Sequence, residues 1–198
     1  MKLEVVQSTS YSPVYPASSV LLLGEQDEVI FGSNFYNFWL AEQAGWSKTG
    51  QGFTLRVDTC IRLIEGCQVK NLGAGRLTQT AAKGFRVSGS VNMGGPWKIL
   101  LEDELADTRG KPAPLLNFTF EEPVEIQFLK FELVSFWGDH GGGLQYFAAI
   151  PATSKTMILR HFLPGQHLID KSYLNLFKKI CRVIFGLKFS RWKFRYRI

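Results

Sequence analysis

Three cysteines in 198 residues, Cys60, Cys67 and Cys181, are too few for a disulfide framework. Cys60 and Cys67 can pair only where the chain brings their Cα atoms within about 7 Å; otherwise they are free thiols serving as small hydrophobes. No Cys-x-x-Cys occurs and His140, His161 and His167 are scattered, so no metal-ligand spacing is present. No run of about 18 uncharged apolar residues exists, so a transmembrane helix is not expected. Met1-Lys2-Leu3-Glu4 opens without an apolar core, which predicts no signal peptide and leaves the compartment open between cytoplasm and cell surface. Before Pro151 no 3.6-residue apolar stripe persists, which excludes a helical fold there. No nucleophile–base constellation is signalled either, so a hydrolase is disfavoured and no enzyme is expected.

What is present is aromatic and turn-rich: 14% Phe, Trp and Tyr, with 19 Gly and 8 Pro. That mixture favours short strands and tight turns. Phe53, Leu55 and Val57 alternate with polar neighbours, as do Phe85 and Val87. Further strands are expected at Leu3–Gln7, Ile61–Asn71, Trp97–Leu101 and Asn117–Phe120. The organising stretch is Pro123–Pro151. Val124, Ile126 and Phe128 alternate with polar residues, and then the phase slips to Leu129, Phe131 and Leu133. A slip of one residue turns an apolar face outward unless the strand bulges, so a bulge is expected near Phe128–Leu129. After Gly138-Asp139-His140-Gly141-Gly142-Gly143 a second run, Leu144–Ile150, reads as the antiparallel partner of the first. Roughly eight strands with turns every 8 to 12 residues predict an all-β antiparallel sandwich or jelly roll over residues 1–151.

Charge divides the chain at the same point. Residues 1–151 hold 12 Lys/Arg against 16 Asp/Glu, a net of −4, whereas residues 152–198 hold 11 against 1, a net of +10. The overall +6 therefore belongs to a basic tail.

Several segments follow one another in a familiar order: Tyr15-Pro16-Ala17-Ser18-Ser19-Val20-Leu21, Phe38-Trp39-Leu40-Ala41, Gly52–Asp58 (GFTLRVD) and Ile64–Asn71 (IEGCQVKN). Thr80–Val87 (TAAKGFRV), Gly95-Pro96-Trp97 and Gly142–Phe147 (GGLQYF) complete the series. Over residues 3–151 the series resembles the discoidin, or coagulation-factor type C, branch of the galactose-binding-like β-sandwiches. The resemblance implies a non-catalytic module that binds carbohydrate, phospholipid head groups or protein through loops at one end. The paired terminal cysteines of many extracellular members are missing here, and Leu23-Gly24 stands where an Asp-Gly is common.

The aromatic cluster Phe35–Trp39 with Trp46 admits two readings, a plug for the sandwich or a stacking surface for a ligand. Alternation puts Phe38 and Leu40 on one side and Trp39 on the other, so most belong to the core, and Tyr36 and Trp46 are the aromatic binding candidates. Arg76 and Gln79 on a Gly-rich loop, and His140 at the polar tip of the Gly138–Gly143 loop, are the polar ones. Glu25, Asp27 and Glu28 are hard oxygen donors, so calcium is the one cofactor to consider, although no 12-residue ligand loop is present. Asn117-Phe118-Thr119 fits the N-glycosylation triplet.

In the tail, Tyr173, Leu176, Phe177, Ile180, Val183, Ile184 and Leu187 recur at helical spacing behind Ser172, a potential N-cap, with Lys178, Lys179 and Arg182 on the other side. Beyond Gly186, Trp192, Phe194 and Tyr196 alternate with Arg191, Lys193 and Arg195. Interleaved basic and aromatic residues suit an anionic membrane surface. Nucleic acid attracts the same charges, but no nucleic-acid-binding fold accompanies them, so that partner is not expected. The leading expectation is a recognition module for a glycan or other surface ligand. The alternatives are an intracellular protein-interaction module and membrane attachment through the tail.

Overall fold

The computed structural model describes residues 1–9, 13–23, 36–41, 51–73, 80–138 and 141–153. The tail expected over 152–198, apart from its first two residues, lies outside them.

The described residues form nine strands: β1 (Leu3–Ser8), β2 (Trp39–Leu40), β3 (Gln51–Val57), β4 (Arg62–Asn71), β5 (Gly84–Ser90), β6 (Lys98–Glu104), β7 (Leu115–Ile126), β8 (Phe128–Leu133) and β9 (Gly143–Pro151). A short 3-10 helix, Ala17–Leu21, buries Ala17, Ser19 and Val20. The strands make two sheets, ordered β1-β3-β8-β5-β6 and β2-β9-β4-β7. Every neighbouring pair is antiparallel. This is the all-β sandwich that the alternating side chains predict.

Each sheet turns one face inward. Phe53, Leu55 and Val57 of β3, Phe85 and Val87 of β5, and Leu129, Phe131 and Leu133 of β8 meet Ile64, Cys67 and Val69 of β4, Val124 and Ile126 of β7, and Leu144, Phe147 and Ala149 of β9. Three phenyl rings stack in a row across the five-stranded sheet, with Phe131 5.2 Å from Phe53 and 5.6 Å from Phe85. Phe147 and Trp39 approach this row edge-on from the other sheet. Each buried phenyl contributes about 2–3 kcal/mol by leaving water, and each well-placed ring pair about 0.5–1.5 kcal/mol more. Trp39 is fully buried, and its indole N–H donates to the Thr9 carbonyl at 2.7 Å. As alternation requires, Phe38 and Leu40 point away from this core into a second cluster with Leu72 and Ala81.

Two expectations about the organising stretch need correction. The runs on either side of the Gly138–Gly143 loop do not pair: β8 lies between β3 and β5, while β9 lies between β2 and β4 in the opposite sheet. The phase slip near Phe128 is likewise not a bulge. Val124 and Ile126 enter the core from the four-stranded sheet, and Leu129, Phe131 and Leu133 enter it from the five-stranded one. The chain changes sheets at Gln127. Its N–H donates to the Ser90 carbonyl at 3.0 Å and its carbonyl accepts from the Val57 N–H at 2.7 Å. A bulge and a crossing produce the same one-residue slip, because each resets which parity faces inward.

True irregularities lie elsewhere. Opposite Glu65, β7 carries the extra residues Phe120–Pro123, so Pro123 sits where no ladder hydrogen bond is required of it. On β9 the register shifts between Leu144 and Tyr146, which lets Leu144 and Phe147, three apart, share one core. Strand β6 is also displaced from its expected span: Trp97 precedes it, half-buried beneath the Lys130 ammonium, 5.0 Å from the ring centre.

Candidate functional site

The connections at the two ends of the sandwich differ in length. At one end lie Asp58–Ile61, Val91–Trp97, Gln127 and both ends of the strand order, Leu3 and Pro151. At the other end lie the described parts of the longer connections: Thr9, 72–73 with 80–83, 105–114, and 134–138 with 141–142. Long loops held by a rigid scaffold are where recognition is usually built.

These loops are tied to one another. Asn71, buried at the end of β4, donates from its side-chain amide to the Ala82 carbonyl at 2.8 Å and accepts the N–H groups of Ala82 and Leu72, each at 2.9 Å. The base of the 72–83 loop is thereby closed. Thr108 donates its hydroxyl to the Leu72 carbonyl at 2.6 Å, joining the 105–114 loop to it. At Gly73 a Cβ would stand 2.2 Å from the Lys111 carbonyl oxygen, so that approach requires glycine. Trp137 links the third loop: its indole N–H donates to the Leu105 carbonyl at 3.0 Å and its backbone N–H to the Ala81 carbonyl at 2.8 Å.

The chemistry gathered there is aromatic and cationic. Tyr36 is half-buried and stacks on Tyr15 at 5.4 Å, and Tyr15 stacks in turn on Phe38 at 5.0 Å. Trp137 packs on the same small apolar cluster, with the Lys83 ammonium 4.8 Å from its ring centre. Arg109 forks onto Asp107 at 2.7 and 2.9 Å. The side-chain hydrogen bond from Arg109, assisted by its backbone N–H, holds the Asp107 carboxyl down to about 2. A half-buried indole beside an ammonium offers an apolar face, hydrogen-bond donors and positive charge within one patch.

Of the residues expected to bind ligand, Tyr36 is at this end of the sandwich, stacked against Tyr15 rather than presenting both ring faces. Trp46, Arg76, Gln79 and His140 lie outside the described residues. The described residues on either side of each, Ala41 and Gln51, Gly73 and Thr80, Gly138 and Gly141, all belong to loops or strand ends at this same pole. The tail residues Lys178, Lys179, Arg182, Arg191, Trp192, Lys193 and Arg195 also lie outside, as do the acidic residues Glu25, Asp27 and Glu28. Sequence reasoning missed Tyr15, Lys83, Arg109 and Trp137. For Trp137 a signal was available, since an aromatic beside a glycine-rich segment marks a loop rim as readily as a strand end.

Cys60 and Cys67 do not pair. Cys60 is exposed in the turn before β4, and Cys67 is buried in the core, where burial pushes its thiol up to about 12. Among the described residues no three His, Cys, Asp or Glu side chains converge on a metal position. Asn117 is exposed on β7, and its side-chain carbonyl accepts from the Gln68 amide at 2.9 Å.

No family model matches the chain, and no curated protein sequence does. Solved structures match it in fold. A family 32 carbohydrate-binding module of C. perfringens NanJ, in complex with galactose, aligns with a TM-score of 0.54 at 14% identity, covering 74% of this chain and 92% of that one. The family 32 module of Streptococcus pneumoniae EndoD aligns at 0.53 and 14% identity, over 76% and 96%. Allantoicase of Saccharomyces cerevisiae aligns at 0.53 and 11% identity, over 74% of this chain and 39% of that enzyme. At these identities the likeness establishes the fold: the chain is a galactose-binding-like β-sandwich. One fold thus serves both binding modules and part of an enzyme, so function has to be argued from the site.

Proposed function

We propose that this chain is a non-catalytic recognition module of discoidin type that binds a glycan through the long loops at one pole. The observation that carries the reading is the mutual bracing of those loops by Asn71, Thr108 and Trp137, which presents a half-buried indole and the Lys83 ammonium on a rigid support. Preorganised aromatic surface with a few fixed polar groups is what a sugar ring needs, since little entropy is then lost on binding. The galactose held by a module of the same fold supports a hexose as the first ligand to try. Tyr36, Trp46, Arg76, Gln79 and His140 are the further residues assigned to the ligand.

The test is a glycan array probed with the full chain, followed by titration calorimetry with galactose and lactose. Trp137→Ala is expected to weaken retention about tenfold or more, the scale of losing one stacking anchor of ~1.4 kcal/mol or above. A silent array, or affinity unchanged by Trp137→Ala, Arg76→Ala and His140→Ala alike, would reject the reading. An intracellular protein-interaction module is the second reading, and the free, exposed Cys60 favours it, because a reducing compartment keeps such thiols unpaired.

A further inference from the structure

We infer that the pole opposite the loops rests on an anionic lipid bilayer, so that the glycan-binding loops face away from that membrane. The tight connections at this pole carry exposed apolar tips: Ile61 is 53% exposed, Val91 39%, Met93 44% and Met1 51%. Hydrogen bonds hold them at one end. Asp58 donates its N–H to the Lys2 carbonyl at 2.7 Å, and Gln127 ties both turns together, donating its side-chain amide to Thr59 at 3.3 Å and its N–H to Ser90 at 3.0 Å. The backbone of these turns is therefore tied to a common base, from which the exposed side chains project.

Their surroundings admit a negative surface. Asp58 is neutralised by Arg62 at 2.7 Å and Glu122 by Lys98 at 2.7 Å, while Lys2 adds a positive charge. Glu125, across the ladder from Leu63, and Glu65 and Glu121, at the irregularity between β4 and β7, are opposing charges. The deciding feature is where the sandwich ends. Pro151 pairs with Ile64, and the Ala152 N–H donates to the Leu63 carbonyl at 2.9 Å, so residue 154 follows from this same pole. From there to Ile198 the sequence carries 11 Lys/Arg and 1 Asp, interleaved with Trp192, Phe194 and Tyr196. Each cation within about a Debye length of an anionic leaflet adds to its attraction, and separate apolar tips insert individually among lipids where a protein partner would need a continuous patch.

The experiment uses the full chain with Cys181→Ser, so that an environment-sensitive dye attaches to exposed Cys60, beside Ile61; a second chain carries Cys60→Ser, Cys181→Ser and Val134→Cys, which puts the dye at the loop pole. Both are mixed with vesicles of phosphatidylcholine alone or with 30% phosphatidylserine. The expected result is brightening at Cys60 with the anionic vesicles only, quenching there by lipid-borne quenchers, and no change at Val134. Ile61→Ser with Val91→Ser and Met93→Ser is expected to reduce partitioning about tenfold, and circular dichroism checks that the exposed substitutions leave the sandwich folded. No partitioning, equal partitioning by the triple variant, or brightening at Val134 instead would each overturn the inference. Brightening at Cys60 that rises with protein concentration without vesicles would assign the pole to a second copy of the chain, and so would overturn it too.

Discussion

The side chain of Asn71 does for Ala82 what a neighbouring strand would do, exchanging a hydrogen bond in each direction at 2.8 and 2.9 Å across eleven residues of sequence. Asn71→Ala would leave the buried Ala82 N–H and carbonyl and the Leu72 N–H without these partners. Each orphaned buried group costs about 1–3 kcal/mol, so a loss of roughly 2–4 kcal/mol after relaxation is expected in chemical denaturation. On the proposed glycan-binding reading, retention should fall as well, because the base of the 72–83 connection loses its closure. A loss under about 0.5 kcal/mol, the usual range for an unimportant surface change, would remove this residue from the support of the site.

Much of the sandwich can be read from the chain. The parity of Phe53, Leu55 and Val57, and of Leu129, Phe131 and Leu133, identifies inward faces without any coordinates, because side chains alternate across a strand. Which sheet each face belongs to is not carried by parity, and so the slip near Phe128–Leu129 is legible as a defect but not as a crossing at Gln127. The false hairpin between β8 and β9 follows from the same limit, since a glycine-rich loop joins strands of two sheets as easily as strands of one. At the site, loop residues such as Tyr36 can be nominated by type. Trp137, Lys83 and Asn71 act through partners that only the folded chain brings near.

Asp107 gives the loop pole a pH dependence. Its carboxyl is held at about 2, against an ordinary 3.8, by the hydrogen bonds from Arg109. A depressed carboxylate favours the folded loop at neutral pH, and that preference is lost as pH falls from about 4 toward about 2. Carboxyl-resolved NMR should show Asp107 titrating below the other aspartates, with the amide signals of 105–113 shifting in the same window. Asp107→Asn should flatten that response, and an Asp107 midpoint near 3.8 would contradict the pairing.

The two described thiols should separate by reactivity. In the Cys181→Ser chain at pH 8, exposed Cys60 is expected to react with a disulfide reagent within minutes. Cys67, raised to about 12 by burial, should react only at the rate of unfolding. Counting thiols over time in native buffer and in denaturant checks this directly. Two prompt equivalents in native buffer would mean that the core around β4 opens far more easily than its packing implies.

Phe131 is the residue on which both sheets converge, stacked between Phe53 and Phe85 and met edge-on by Phe147 and Trp39. Phe131→Ala removes the middle ring of the row and leaves a cavity that the antiparallel ladders on both sides, β3 and β5, keep from collapsing. The expected cost is about 3–5 kcal/mol, and a fall in melting temperature of roughly 6–20 °C for a domain of this size. Phe131→Leu keeps most of the volume but none of the ring stacking, so it should cost less, about 1–2 kcal/mol. The ordering of the two variants is the informative part. If the leucine variant were as damaging as alanine, the stacking geometry itself would dominate; if alanine cost under about 1 kcal/mol, the phenyl row would not be the centre of the core.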